Sequence, residues 1–406
     1  MYKKGVLIIL CAVGSLLLTA APGTVKAAEP INVGMINSFT GSLAFEAKEQ
    51  ENGAVLAVKE INKQGGVLGR QVTLLVRDDE ARPDVGVRKL GELLQVNKVV
   101  ALFGGISGAV ALAVEQTAKP YRIPITGRST VKSNQGPGSD PYRWGFKSEA
   151  IAGGAGAEYA VKNLGKKFYI FYADYVWGWD ELYGFEKGLK KYEGEVIGKD
   201  ATPPGTVDFA PFLTKALWAN PDVLVLIHAG MDYVYSVKQA HDLGVKEKMK
   251  IYVPDASAYS SEKAIGPKAM EGVYLGTAFY WEAAMSYASG KKFVDDYQKE
   301  FGRKPSMQTY VAYAGALAWA DAARIAKTLD GDAINNVWGS PGFSFDHGKG
   351  KVRWRVPDHT AIEDWYICRG RGPQAVAADP ERILEVLKTT RGSEEYLYSL
   401  EELGYK

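Results

Sequence analysis

The chain has 406 residues, 46% of them hydrophobic, which is ordinary for a globular protein and long enough for two domains. It carries 49 Lys and Arg residues against 47 Asp and Glu residues. This near-balance of charge argues against a nucleic-acid-binding surface, which would need a clear excess of basic residues.

The first 27 residues have the pattern of an export signal. Lys3 and Lys4 precede an apolar run over 6–21, and Val25-Lys26-Ala27 offers a small-x-small cleavage site. Because the run is shorter than the ~20 residues that a bilayer span needs, a cleaved signal is favoured over a membrane anchor. Cleavage would leave 46 basic and 47 acidic residues. We expect the exported protein in the periplasm.

Cysteine is scarce in this chain. Cys11 lies inside the apolar run rather than at its end, which argues against a lipoprotein. Cys368 would then have no partner, so an internal disulfide and a Cys–Cys metal site are both excluded. Its apolar surroundings predict a buried, inert thiol.

The stretch 31–79 predicts a strand–loop–helix–strand unit. A short apolar strand at 31–36 leads into a loop of small residues at 37–42, and a helix follows. The chain then turns through the glycines at 65–69 into a strand at 72–76. In open α/β sheets, ligands bind at the carboxyl ends of strands, where this first loop lies.

The same type of unit recurs along the chain. Further strands are predicted at 99–103, 125, 168–173, 223–227, 251–253, 272–279 and 361–367. Helices are predicted at 109–119, 150–163, 179–192, from about 209, and at 233–243, 291–301, 310–329 and near 380–389. This alternation predicts an α/β protein with parallel sheets covered on both faces. We expect two Rossmann-like lobes, joined by three crossover segments, with a cleft between them.

Several short motifs carry a family resemblance. They are Phe39-Thr40-Gly41, 57–62, 65–70, Asp78-Asp79, 104–107, Trp177-Gly178, 205–209 and 272–274. In order and spacing they resemble the periplasmic substrate-binding proteins of branched-chain amino acid ABC transporters, the Leu/Ile/Val-binding family. The resemblance covers 31–369 and implies the type I periplasmic-binding-protein fold, a clamp that closes on a small ligand and passes it to a permease.

The resemblance also implies a division of the chain. Residues 1–27 would be the signal peptide. The first lobe would comprise 28–145 and 281–355, and the second lobe 146–280 and 356–406.

Two loops of the first lobe would bind the ligand carboxylate if the resemblance holds. Ser107 stands where the family has a carboxylate-binding serine. Arg128-Ser129-Thr130 stands where the family has Ala-Ala-Thr, so Thr130 is kept and Arg128 replaces a small residue. An arginine there would add a bidentate grip on a carboxylate.

The second lobe would supply the other contacts. Trp177 matches an aromatic residue that covers the ligand, and Asp255 matches an acid that pairs with the ligand amine. Ala229 matches a position that is aromatic in the family. Phe45 is expected on the first-lobe wall.

Each of these residues also has a simpler interpretation. Ser107 precedes a predicted helix and could only cap it, and Arg128 could be an exposed or Asp-paired loop residue. Trp177 and Phe45 could pack in the core, and Asp255 could be a turn aspartate after a proline.

Signatures of enzymes are absent from the sequence. The loop at 37–41 lacks the G-x-G-x-x-G of dinucleotide sites, and Ser107 lacks the G-x-S-x-G of a nucleophile elbow. The four histidines have no metal-site spacing, although His228 is predicted at the end of a strand facing the cleft. We therefore expect no catalysis, cofactor or metal.

The sequence thus predicts a monomeric solute-binding protein that captures an amino acid or related carboxylate and delivers it to the membrane subunits of an ABC permease. Arg128 and the 9 Trp and 23 Tyr residues leave open an aromatic or other carboxylic acid as ligand. A sensor that feeds a signalling partner is the alternative of a different class.

Overall fold

A computed structural model describes Met1 and residues 29–127, 129–257 and 259–406. The rest of the predicted signal peptide, and Arg128, lie outside the described residues. Within this part of the chain, no helix is both long and apolar enough to cross a bilayer.

The first large sheet is formed near the amino terminus. Its elements are β1 (Ile31–Asn37), α1 (Ala44–Lys63), β2 (Val72–Asp78), α2 (Pro83–Gln95), β3 (Leu102–Phe103), α3 (Gly108–Ala118) and β4 (Ile125–Thr126). The strands are parallel in the order β2-β1-β3-β4. Apolar side chains of β1 are buried on both faces, which is typical of a parallel sheet between helices.

The chain then crosses to a second sheet. The connection contains a short parallel pair, β5 (Ser129–Thr130) and β6 (Phe146–Ser148). The elements that follow are α4 (Glu149–Asn163), β7 (Lys167–Ala173), α5 (Val176–Lys191), β8 (Glu195–Thr202), α6 (Ala210–Ala219), β9 (Val223–Ile227), α7 (Gly230–Asp242), β10 (Lys250–Val253), α8 (Ser260–Ile265), α9 (Pro267–Met270) and β11 (Tyr274–Thr277).

A second crossing returns the chain to the first sheet. The elements there are α10 (Trp281–Ala284), α11 (Ala288–Phe301), α12 (Met307–Ala326) and α13 (Gly331–Trp338), followed by the antiparallel strands β12 (Ser344–Phe345), β13 (Val352–Arg355) and β14 (Thr360–Ile362). Helix α12 packs along α1. We call the first sheet with α1–α3 and α11–α13 the first lobe.

A third crossing leads to β15 (Trp365–Gly370), α14 (Pro373–Ala378) and β16 (Leu384–Thr390). The second sheet has the order β16-β15-β11-β10-β9-β7-β8, and only β15 and β16 run antiparallel to their neighbours. This sheet with α4–α9 is the second lobe. The predicted fold class is confirmed, and the predicted residue boundaries of the lobes stay a prediction.

The strand predicted over 361–367 is wrong as one element. Strand β14 ends at Ile362 and pairs with β13, whereas β15 begins at Trp365 and pairs with β11. Glu363 and Asp364 form the third crossing between them. Buried apolar residues on both sides of these two acids make the segment look like one strand in the sequence.

The helix predicted near 380–389 is also wrong. Residues Leu384–Thr390 form the edge strand β16, antiparallel to β15. Val386, Thr389 and Thr390 are β-branched and suit a pleated surface. Pairing with a distant strand therefore decides the structure here, and a local helical pattern does not.

A buried ion pair connects two of the crossings. Lys349 Nζ lies 2.8 Å from Glu363 Oε2, and their side chains are 1% and 0% exposed. The same ammonium donates to the backbone oxygens of Ala278, in the second crossing, and Asp364, in the third. Tyr310 donates to Glu363 over 3.2 Å. This arrangement satisfies both charges and fixes the two crossing segments to each other.

Replacing one member of this pair should destabilise the protein strongly. Lys349→Met leaves the Glu363 carboxylate buried without its cation, and we expect a loss of about 3–5 kcal/mol of unfolding free energy. Adding Glu363→Gln should recover part of the loss. Urea denaturation of both single variants and the double variant gives the coupling energy.

The exposed pair Lys291–Asp295 is the matched control, with side chains 61% and 51% exposed. Lys291→Met should change stability by less than about 1 kcal/mol. An equal effect of the two lysine substitutions would contradict the structural role assigned to Lys349.

Candidate ligand-binding site

Loops at the carboxyl ends of strands from both lobes surround one cavity. Its volume is about 620 Å³, counting the space at its mouth. Lining residues follow β1 (Leu43), β3 (Gly105, Ile106), β7 (Tyr175, Trp177), β9 (His228, Ala229) and β10 (Asp255, Ser257). The position, at the carboxyl ends of strands, is where α/β sheets bind ligands.

The lobes touch each other directly beside this cavity. The backbone N–H of Met231 donates to the carbonyl of Ser42 over 3.1 Å, and that of Met307 donates to the carbonyl of Ser257 over 2.9 Å. Each of these bonds joins a first-lobe residue to a second-lobe residue. The structure is therefore a closed arrangement of the two lobes.

Glu46 joins the two lobes through its side chain, and the sequence did not single it out. It lies on α1 and is 1% exposed. Its Oε1 accepts hydrogen bonds from Ser257 Oγ (2.6 Å), Gly230 N (3.2 Å) and Ser261 Oγ (3.3 Å), all in the second lobe. In the sequence it resembles any acid in the first turn of a helix, where the dipole favours negative charge.

Phe45, the residue before Glu46, was expected on the first-lobe wall of the cleft but is not part of it. It is half-buried on α1 and does not line the cavity, whereas Leu43 and Glu46 do. Successive residues on a helix point about 100° apart, so Phe45 and Glu46 face different directions. Which of the two faces the cavity depends on the angle at which α1 meets the second lobe.

Ser107 is brought to the edge of the site. It is the N-cap residue of α3 with extended backbone, but its side chain makes no capping hydrogen bond. It is 6% exposed and lines a second cavity next to the first. Its hydroxyl is thus placed at a helix start without being used to cap it.

Ser129 and Thr130 form β5, which begins three residues after the end of β4. Their backbone pairs with β6 in the first crossing. The preceding Arg128, predicted to grip a carboxylate, lies outside the described residues.

Trp177 and Ala229 are brought together on the second-lobe side of the cavity. Trp177 is in the first turn of α5, 8% exposed, with its ring centroid 6.0 Å from that of Tyr175. A Cβ at Gly178 would lie 1.9 Å from the carbonyl oxygen of Ala173, so only glycine lets α5 start this close to β7. Ala229 is the N-cap residue of α7.

Asp255 lines the cavity just after β10 and is 7% exposed. With Glu46 it makes two carboxylates at the same site. Among the lining residues that the structure describes, none is Lys or Arg. The described wall is therefore acidic, with apolar and aromatic surfaces between the acids.

His228 lines the cavity but is held by the protein. Its Nε2 lies 2.9 Å from Thr202 Oγ1 and its Nδ1 lies 3.0 Å from Ser236 Oγ. Burial lowers the pKa of His228 to about 3, so the imidazole is neutral at physiological pH. Both ring nitrogens are engaged, which favours a structural role over ligand binding.

Two parallel-sheet lobes that meet around a lined cleft, with three crossings between them, define the type I periplasmic-binding-protein class. A family model described as periplasmic binding protein matches residues 30–374. The chain therefore belongs to the periplasmic binding protein family, and the predicted resemblance is confirmed.

Individual relatives agree with this assignment. The Leu/Ile/Val-binding protein homolog 7 of Brucella suis biovar 1 is 27% identical over 81% of this chain and 85% of the relative. An amino acid ABC transporter substrate-binding protein from Pseudomonas fluorescens Pf-5 has a TM-score of 0.82 at 23% identity, covering 92% and 99% of the two chains. A solute-binding protein of an ABC transporter from Rhodopseudomonas palustris BisB5, solved with 3,4-dihydroxybenzoic acid, has a TM-score of 0.76 at 25% identity, covering 89% and 98%.

Removing the Glu46 charge should open the lobes. Glu46→Gln keeps the shape but weakens three contacts to the second lobe, each normally worth about 1.5–3 kcal/mol when one partner is charged. We expect a larger radius of gyration by small-angle X-ray scattering of the ligand-free protein. Glu51→Gln, on the same helix and bonded only to Lys48 among the described residues, is the control. Identical scattering from the two variants would contradict an inter-lobe role for Glu46.

The neutral His228 should make the protein sensitive to acid. Its folded-state pKa is below its ordinary value, so the unfolded chain takes up a proton first as pH falls below about 6.5. Through this residue, the free energy of unfolding should then fall by about 1.4 kcal/mol for each pH unit, down to about pH 3. The measurement is urea denaturation between pH 7 and pH 4.

His228→Gln should remove this part of the pH dependence, because glutamine does not titrate. His359, whose pKa burial lowers to about 4, contributes equally to both proteins. His241→Gln, at the end of α7, is the matched control for replacing a histidine by glutamine. A slope unaffected by His228→Gln would show that this histidine is not buried in its neutral form.

Proposed function

We propose that this protein is an extracytoplasmic solute-binding protein that holds an amino acid in the cleft and delivers it to an ABC permease. One observation carries the proposal: the carboxylates of Glu46 and Asp255 both line the cavity. A ligand ammonium group can form charge-assisted hydrogen bonds with carboxylates at such a site.

The ligand carboxylate would lie on the opposite side, at the start of α3. Helix starts favour anions through their free N–H groups and the helix dipole. Ser107 adds a hydroxyl that does not cap the helix. The backbone of Ser129 and Thr130, and the side chain of Arg128, would complete this half of the site.

Aromatic and aliphatic surfaces would enclose the rest of the ligand. Trp177 and Tyr175 would cover it from the second lobe, with Ile106 and Met307 on the first-lobe side. A ligand in the cleft would further stabilise the closed arrangement, in which Glu46 lies against Gly230 and Ser257. This is a population shift towards a state that the ligand contacts from both sides.

The family supports transport without catalysis. We propose that the protein is not an enzyme, that its first 27 residues direct it to the periplasm, and that it acts as a monomer with separate permease subunits. The amino acid ABC transporter protein of Pseudomonas fluorescens, which shares this fold, is consistent with that role.

Aromatic acids are the second candidate class of ligand. The relative from Rhodopseudomonas palustris binds 3,4-dihydroxybenzoic acid, and Tyr175, Trp177 and Tyr233 offer aromatic surfaces in this cavity. Such a ligand has no ammonium group to meet Glu46 and Asp255. The acidic wall therefore favours the amino acid.

A thermal-shift screen separates the two classes. Amino acids and benzoic acids should each be tested, and a true ligand at about 100 times its Kd should stabilise the protein by ~2.7 kcal/mol. Asp255→Asn should weaken amino acid binding about 10-fold or more, because a charge-assisted hydrogen bond is lost. It should leave or improve the binding of a benzoic acid. Isothermal titration calorimetry measures both.

Asp295→Asn, an exposed aspartate on α11, is the control for this substitution. Stabilisation by benzoic acids alone would refute the amino acid proposal. Turnover of any of these compounds would refute the non-enzymatic one.

A further inference from the structure

Gln308 places a carboxamide on the wall of the cavity between the lobes. It is the second residue of α12, in the first lobe, and lies next to Met307, which lines the same cavity. The side chain is nearly buried, since Gln308 is only 3% exposed. Its Oε1 accepts a hydrogen bond from Gln50 Nε2 over 2.8 Å. Its Nε2 has no acceptor among the described residues, which is unusual for a polar group at this depth.

The free nitrogen of Gln308 meets open space. The described part of the chain contains buried polar atoms that neither a partner nor solvent reaches, and Gln308 Nε2 is not one of them. Because the residue lines the cavity and is otherwise buried, the space that this nitrogen reaches is the cavity. Its two N–H groups are therefore able to donate to a ligand.

Gln50 fixes the direction of this amide. The backbone N–H of Gly105 donates to Gln50 Oε1 over 2.9 Å, and Asn37 Nδ2 donates to the same oxygen over 3.0 Å. A peptide N–H can only donate, so the oxygen of Gln50 must face Gly105 and its NH₂ group must face Gln308. Turning Gln308 over would bring two NH₂ groups together. The protein thus directs the oxygen of Gln308 inwards and its nitrogen to the cavity.

Asn37, the last residue of β1, anchors the other end of this chain of amides. Its Oδ1 accepts from the backbone N–H groups of Ser38 (3.1 Å) and Ile106 (2.9 Å). Asn37 and Gln50 are both fully buried. The N–H groups of Gly105 and Ile106 are therefore used by side chains, although both residues line the cavity. Gln308 offers N–H donors to a ligand in their place.

The position of Gln308 indicates which ligand group it meets. Through Gln50 it is joined to the loop after β3, which leads into α3, where the ligand carboxylate is proposed to lie. It also lies in the first turn of the 20-residue helix α12, whose positive end favours an anion. A carboxylate is the acceptor that an amide N–H binds most strongly, because the acceptor is charged.

We propose that Gln308 is a further ligand-contacting residue, which donates to the carboxylate of the ligand and is held in that direction by Gln50. The inference rests on the proposed function, because the cleft must bind a carboxylic acid. Amino acids and benzoic acids share that group. The contact therefore does not depend on which of the two classes the protein binds.

The test compares each acid with its own amide. The standard L-amino acids and benzoic acid are titrated into the purified protein at pH 7.5 by calorimetry, beside the amino acid α-amides and benzamide. The amide keeps the size of the ligand and removes the negative charge. The acid should bind at least about 10-fold more tightly than its amide, because hydrogen bonds to a charged acceptor are stronger.

Gln308→Glu should reduce this preference for the acid at least about 10-fold. The new side chain keeps an oxygen for Gln50 and turns a carboxylate oxygen to the cavity, where it repels the ligand carboxylate. The amide ligand can donate its own NH₂ group to that oxygen and should lose less affinity. A purely structural role of Gln308 would weaken acid and amide by the same factor. Gln298→Glu, an exposed glutamine on α11, is the matched control and should keep the preference.

Gln50→Glu is an independent variant that leaves residue 308 unchanged. A carboxylate at position 50 still accepts from Gly105 and Asn37, but it has no N–H to donate to Gln308. The Gln308 amide should then turn over and present its oxygen to the cavity, so the preference for the acid should again fall. This result would support the contact even if Gln308→Glu failed to fold, which circular dichroism checks.

An acid-to-amide preference that is unchanged in folded Gln308→Glu would overturn the contact alone, and so would an equal loss of affinity for both ligands. Binding of benzoic acid without any amino acid would overturn the amino acid proposal, while benzoate and benzamide still measure the contact. Binding of none of these acids would overturn both. The failures are thus distinguishable in one titration series.

Discussion

Glu46 is carried by a helix of the first lobe, yet it accepts hydrogen bonds from Gly230, Ser257 and Ser261 of the second. A buried carboxylate needs several donors, and here they come from the far side of the cleft. The position of α1 against the loops after β9 and β10 therefore depends on this group. The backbone hydrogen bonds from Met231 to Ser42 and from Met307 to Ser257 join the lobes in the same closed arrangement.

The regular parts of the fold could be predicted because their signals are local. Val223–Ile227 is a short, continuously apolar run, and the strand was predicted with its observed bounds. Several helices begin a turn earlier than predicted, such as α7 at Gly230, because the first turn follows the strand without a clear start signal. The errors at 361–367 and 380–389 have another origin. In both, the decisive partner is a strand distant in sequence, and no local pattern records it.

The candidate site divides in a similar way. Ser107, Trp177, Ala229 and Asp255 follow strands, so a topological rule places them near one sheet edge. Glu46 lies inside a helix, where an acid in the first turn is commonplace. Its importance comes from burial and from partners in the other lobe. Sequence reasoning finds loop residues of such a site more easily than helical ones.

The order of strands in the second sheet affects how the protein is made. Strand β11 has β15 as its outer neighbour, and β15 in turn has β16, which ends at Thr390. During synthesis, strands β7 to β11 are made before β15 and β16. For that time the edge of the sheet at β11 is uncovered. Until the last few dozen residues are available, β11 exposes unpaired backbone groups of the kind that promote aggregation. The second lobe thus completes late, and a truncated chain is at greater risk than its missing length suggests.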